Sequence, residues 1–191
     1  MVQRVHLVGL RAVLLAMCSF FFLPSLLGLT IEDLRNDPDL TPERFAEHFA
    51  NFKFQFRAQI QSPETFLATK SGDCDDFATL AADILRRKGY TPHMITVRTK
   101  KVVHVVCYIE ETKAYLDFEK RKHPNRLVGA SHSLAEIAQK VAESFNAQWT
   151  SVSEFTYEAG VKRLVSTVSR HNALAANQAE VKIASVTPAA N

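Results

Sequence analysis

Ser71-Gly72-Asp73-Cys74-Asp75-Asp76-Phe77-Ala78-Thr79-Leu80-Ala81-Ala82-Asp83-Ile84-Leu85-Arg86-Arg87-Lys88-Gly89 is the stretch that decides the fold of this chain. Phe77, Leu80, Ala81, Ile84 and Leu85 recur at i, i+3, i+4, i+7 and i+8, the spacing of a helix that buries one face. Asp73 is a good N-cap and Asp76, three positions on, can complete a capping box. Arg86, Arg87 and Lys88 complement the negative end of the helix dipole, and Gly89 stops the helix. Cys74 therefore occupies the first turn of a firmly packed helix, where unpaired N–H groups and the dipole favour a thiolate.

Outward from this helix the pattern alternates between periods. Upstream, Thr41 caps and Pro42 opens a helix expected to reach Ala50, with Phe45 and Phe49 on one face. Phe52, Phe54, Phe56, Ala58 and Ile60 then alternate with Lys53, Gln55, Arg57 and Gln59, which predicts a half-buried strand. Ser62-Pro63 opens a short helix to Thr69. Downstream, strands are expected at His93–Thr99, Val102–Glu110 and Lys113–Glu119, the last two joined as a hairpin. After a loop from Arg121 to His132, Ser133 and Glu136 form a capping box for a helix with Leu134, Ile137, Val141 and Phe145 on its apolar face. Strands are expected again at Val152–Tyr157 and Lys162–Ser169. Segregated helices and strands of this kind make an α+β domain.

The ends read differently. Met1 to Arg11 is short and basic, and Ala12 to Leu29 is an apolar run, the pattern of a secretory signal peptide or an uncleaved signal anchor. The expectation is an exported protein, periplasmic or extracellular, touching a membrane only through residues 12–29. The domain is expected over residues 30–170, and the polar, Ala-rich segment 171–191 is expected to be disordered. The chain has 191 residues, 47% of them apolar, and a formal charge of +3. Arg4 and Arg11 lie in the acid-free leader, so the body is almost neutral. With no Lys/Arg block and no basic-aromatic stripe, nucleic acid is not an expected partner.

Three cysteines are present: Cys18 in the leader, Cys74 and Cys107. Two thiols in the body are no disulfide framework, and no CxxC or Cys/His spacing marks a zinc site. Asp73, Asp75 and Asp76 resemble the start of an EF-hand, but Phe77 and Leu85 stand where that loop needs oxygen ligands. No metal and no cofactor are expected. The three carboxylates oppose a thiolate at Cys74, so they must point away or a histidine must compensate.

His104 is the histidine best placed to do so. It stands among four valines, Val102-Val103-His104-Val105-Val106, where a polar ring needs a partner. Centring the hairpin on Glu111-Thr112 pairs Tyr108 with Tyr115 and Val106 with Asp117. His104 and Asp117 then share a face as diagonal neighbours. Cys107 has the opposite parity and is expected to be a core thiol. In the chemistry these residues suggest, Asp117 orients the imidazole, His104 moves the proton, and Cys74 attacks a carbonyl to give a thioester. The Cys74 N–H can donate to the oxyanion. A second donor is needed, and Gln61, Gln59 and Gln55 are the candidates, with Gln61 placed first.

Cys at a helix start, His on a following strand and Asp on the next strand, in that chain order, resembles the transglutaminase-like superfamily. The segments Ser62-Pro63-Glu64-Thr65-Phe66-Leu67 and Ser71-Gly72-Asp73-Cys74-Asp75-Asp76-Phe77-Ala78 look like the start of bacterial transglutaminase-like cysteine peptidases. His104-Val105-Val106 and Tyr115-Leu116-Asp117 look like that family's histidine and aspartate strands. The resemblance spans about Thr41 to Glu119. It departs at Val106, where many relatives carry an aromatic, and in a tighter hairpin. It implies a papain/transglutaminase-like core, with the Cys helix packed on an antiparallel sheet carrying His and Asp. It also implies acyl transfer from a protein or peptide substrate. Hydrolysis comes first among the outcomes; the others are transfer to an amine, as in protein cross-linking, and a catalytically silent binding module.

Overall fold

The computed structural model describes residues 28–158 and 161–175. All of the expected leader but Gly28 and Leu29, and most of the expected tail, lie outside these residues. The first five positions of that tail, 171–175, continue a helical turn that begins at Arg170 rather than being irregular. No helix among the described residues is long and apolar enough to cross a membrane.

The elements follow in the order α1 (Ile31–Asn36), α2 (Pro42–Glu47), β1 (Lys53–Phe54), α3 (Pro63–Thr69), β2 (Ser71–Gly72), α4 (Cys74–Arg87), β3 (Pro92–Thr99), β4 (Val103–Ile109), β5 (Ala114–Leu116), β6 (Leu127–Gly129), α5 (Leu134–Ser144), β7 (Trp149–Glu158) and β8 (Val161–Ser169). Helix α1 is additional to the sequence reading. It is closed by a Thr30/Asp33 capping box, a signal present in the sequence at Thr30-Ile31-Glu32-Asp33.

Six strands form one antiparallel sheet in the order β6-β5-β4-β3-β7-β8. Helix α4 packs against β3 and β4, and α5 packs against β3 and β7. Strand alternation divides the core accordingly. Val105, Cys107, Ile109 and Leu116 join the cluster that contains α4, whereas Val97, Val106, Tyr108 and Tyr115 join the one that contains α5. The architecture is α+β, as the alternation of periods predicts.

Three expectations are corrected. The alternating run from Phe52 to Ile60 is not a strand of the sheet. Only Lys53 and Phe54 are extended in a ladder, pairing in parallel with Ser71 and Gly72. Phe52 is 2% exposed, but Phe54 is 53% and Phe56 76% exposed, so the apolar positions do not share a buried face. A two-residue ladder cannot enforce the period that a full strand would. The second correction concerns the hairpin, where β5 ends at Leu116. Asp117 instead caps a 3-10 turn, Phe118–Lys120, by accepting from the Glu119 N–H at 2.9 Å. The Ser133/Glu136 box is also only half formed. Ser133 caps α5, while the Glu136 carboxylate accepts from the Ser131 N–H and hydroxyl.

Behind α4 lies a block of rings. Phe49 is within 6 Å, centroid to centroid, of Phe45 (4.9 Å), Phe52 (4.7 Å), Phe66 (5.6 Å) and Phe77 (5.1 Å). Phe118 closes the block from the far side, 5.4 Å from Phe77. Buried Arg121 stacks on Phe118 and donates to the Phe52 and Phe118 carbonyls. These contacts fix the start of α4 relative to the end of the β4–β5 hairpin.

Candidate active site

The start of α4 is over-determined. The Asp73 carboxylate accepts from the Asp75 and Asp76 N–H groups, and Asp76 reaches back to the Asp73 N–H at 3.1 Å, so the capping box forms as expected. The other Asp73 oxygen accepts from the Arg57 N–H at 2.9 Å. Asp76 also takes both the backbone N–H and the side-chain amide of Gln61, each at 2.7 Å. Two of the three acids therefore spend their charge on N–H donors rather than on the thiol. Asp75 does not: its oxygen is 3.9 Å from Cys74 Sγ, and burial, followed by repulsion from Asp73, raises its pKa.

Gly72 permits this packing. A Cβ there would stand 2.7 Å from the Phe66 ring and 2.8 Å from the Gln61 amide nitrogen, and closer still to Asp76. Gln61, the first-choice oxyanion donor, has its amide N–H groups committed to Asp76 and to the Ser71 carbonyl. It does not line the cavity at Cys74. Its geometry is that of a brace between α3 and α4, and the sequence reading is corrected on this point. The Gln55 side chain accepts from Arg57 and Ser71, and Gln59 is exposed; neither lines the cavity.

His104 and Asp117 meet as the hairpin reading requires. The ladder pairs Tyr108 with Tyr115, and His104 Nε2 lies 2.8 Å from Asp117 Oδ1. Both side chains are buried, at 4% and 2% exposure for the residues. Because β5 stops at Leu116, the contact comes from the 3-10 cap rather than from a continued ladder. The Phe145 ring lies against the imidazole at 4.9 Å. With Nε2 engaged by Asp117, Nδ1 is the nitrogen left for Cys74. Burial alone favours the neutral ring. The hydrogen bond to Asp117, then the Cys74 sulfur, outweigh burial and push His104 up to about 10. The arrangement thus favours an imidazolium beside the sulfur. Cys107 is fully buried, and burial pushes its thiol up to about 12, which makes it the inert core cysteine expected from its parity.

A cavity of about 210 Å³ opens at this point. Cys74, Asp75 and His104 lie on it, with Phe54, Phe56 and Phe145 supplying aromatic walls. The two exposed phenylalanines were legible only as members of a strand; no signal in the sequence separates them from Phe52. The arrangement is chemically suited to nucleophilic attack by sulfur with proton transfer through His104.

Residues 38–129 match a family model described as a transglutaminase-like domain. Among solved structures, Legionella pneumophila LapG is similar at 16% identity over 80% of this chain and 82% of that one, with a TM-score of 0.47. Its calcium-bound form is similar at 17% identity over 71% and 74%, with a TM-score of 0.44. No curated protein matches.

Proposed function

We propose that this chain, whose residues 38–129 match a transglutaminase-like domain, is a member of the transglutaminase-like superfamily and a cysteine peptidase or amidase acting on a protein or peptide through a Cys74 thioester. The observation that carries the reading is the shared cavity of Cys74 and a buried His104 held by Asp117 at 2.8 Å. A buried histidine-aspartate pair has a desolvation cost that a purely structural hairpin has no need to bear.

The Cys74 thiolate attacks the amide carbonyl carbon and forms a C–S bond. The oxyanion that develops is stabilised by the Cys74 N–H, which the Asp73 cap leaves free by taking the N–H groups of Asp75 and Asp76 instead. The His104 imidazolium passes its proton to the amide nitrogen as the C–N bond breaks, and the amine leaves. His104, now neutral, accepts a proton from water as that water attacks the thioester. The C–S bond breaks, the acid product leaves, and thiolate and imidazolium are restored. Asp117 keeps the ring's tautomer and direction throughout. Phe54 and Phe56 offer an apolar side chain of the substrate a place beside the scissile carbonyl.

Alkylation with iodoacetamide at pH 6 tests the activated thiol, followed by mass spectrometry of the labelled peptide. Cys74 is expected to react at least about tenfold faster than a free thiol, because only the thiolate reacts. The His104→Ala variant is expected to lose that advantage. A rate equal to that of a free thiol overturns the reading. Digestion of peptide mixtures in the presence and absence of a primary amine then separates hydrolysis from amine transfer by product mass.

A further inference from the structure

At the opposite end of the sheet, three side chains converge that the proposed chemistry does not use. His93 opens β3, Glu154 lies on β7, and His132 precedes the cap of α5. Glu154 opposes Ile95, and His93 opposes Tyr108, which places both on the face that α5 covers. His93 Nδ1 is 2.7 Å from one Glu154 oxygen, and His132 Nε2 is 3.8 Å from the other. One ligand atom from each residue lies within 4.8 Å of the others.

We propose that His93 Nδ1, His132 Nε2 and the Glu154 carboxylate form a binding site for a first-row divalent cation of the Zn2+ class. Two imidazoles and a carboxylate are a borderline donor set that suits such ions, whereas Ca2+ takes oxygen ligands. A tetrahedral ion with bonds of about 2.0–2.1 Å separates its ligand atoms by about 3.3 Å. His93 Nδ1 and His132 Nε2 stand 2.7 and 3.8 Å from different Glu154 oxygens, and one ligand atom from each residue lies within 4.8 Å of the others, so closing on a shared ion requires a small movement of exposed His132 on its loop.

A second observation supports the assignment independently. Metal-bound histidines commonly donate their other ring N–H to a carboxylate, which fixes the tautomer. His93 Nε2 faces the Glu110 carboxylate at 3.4 Å, leaving Nδ1 as the ligand nitrogen. The ring of His132 is held flat against Tyr108, with centroids 4.8 Å apart and planes 14° apart. Three protein ligands leave a fourth position for water. No spacing in the sequence marks this site, because its ligands come from three separate elements.

The site would staple the loop before α5 to β3 and β7. The far end of α5 carries Phe145, which packs on His104, so an ion here would brace the helix that walls the active-site cavity.

The test titrates Zn2+ into the full chain bearing Cys74→Ala, so that the thiol cannot take the ion. Co2+ serves as the spectroscopic probe. One ion per chain is expected, with visible d–d absorption and no thiolate charge-transfer band. His132→Ala, at an exposed position, is expected to weaken Zn2+ binding by at least about 100-fold, and Glu154→Gln by a similar factor. Glu110→Gln acts through His93 and is expected to cost about 10–100-fold. Zn2+ is also expected to raise the unfolding temperature of the Cys74→Ala chain and not of the same chain carrying His132→Ala. Absence of binding in the Cys74→Ala chain overturns the proposal. So does an affinity unchanged by both His132→Ala and Glu154→Gln. Failure of either kind leaves the thiol chemistry at Cys74 untouched.

Discussion

Two sets of phenylalanines flank Cys74, and they behave oppositely. Phe45, Phe49, Phe66, Phe77 and Phe118 are at most 1% exposed and pack ring against ring. Phe54 and Phe56, a few residues along the same chain, are more than half exposed on the rim of the cavity. Residue type is the same in both sets, so hydrophobicity alone does not place them. The buried set holds α4 against the hairpin and thereby sets where the sulfur sits. The exposed set leaves more than half of each residue's surface in solvent, and that apolar surface gains when something covers it. One side of the cysteine is foundation, and the other is an exposed apolar rim, the proposed substrate wall.

The largest test removes the atom between the two sets. Cys74→Ala should lower peptide cleavage by at least about a thousandfold while leaving the unfolding temperature nearly unchanged, as measured with a fluorogenic peptide and by calorimetry. Asp117→Asn should lower kcat by about 10²–10⁴-fold by upsetting the His104 tautomer. A kcat within twofold of the parent would remove Asp117 from the site.

Next, Phe49→Ala should destabilise the fold by about 3–5 kcal/mol in urea titration, since a ring is deleted from a close-packed cluster. Phe56→Ala should change stability by less than about 0.5 kcal/mol, as a surface substitution does. It should nevertheless raise KM for peptides with an apolar side chain at the cleaved bond. If Phe56→Ala is as destabilising as Phe49→Ala, the division into foundation and substrate wall fails. Gly72→Ala lies between the two. Its added methyl meets Phe66 and Gln61, and a loss of about 1–3 kcal/mol is expected from overpacking.

The smallest effect is one of pH. His104 has a folded-state value of about 10, above the ordinary 6.5. Its pairing therefore contributes fully to stability below about pH 6.5, and that contribution is lost as pH rises toward about 10. The stability difference between the parent and His104→Gln should narrow over this interval in urea titrations. A difference that widens with pH would reverse the sign assigned to the pair.

Much of the candidate site was readable from the chain. The start of α4 was legible because its cap, stripe and stop lie within 17 residues and act locally. The His104–Asp117 contact was legible because hairpin parity follows from one turn, and the Tyr108–Tyr115 pairing is as expected. The Phe52–Ile60 run misled because alternation indicates a strand only if a partner strand exists, and here the partner is just Ser71-Gly72. Gln61 misled because its position before α3 says nothing of the Asp76 carboxylate that engages its N–H groups.

The sequence by itself determined the helix that presents Cys74, the parity that sets His104 with Asp117 and Cys107 away from them, and the alternation that makes the domain α+β. These depend on periodicity, capping and turns, all of short range. Tertiary structure alone decided which phenylalanines face solvent, how the three aspartates around Cys74 divide their charge, and that His93, His132 and Glu154 meet. Those outcomes depend on residues brought together by packing from distant elements, and no spacing along the chain encodes a distance across the sheet.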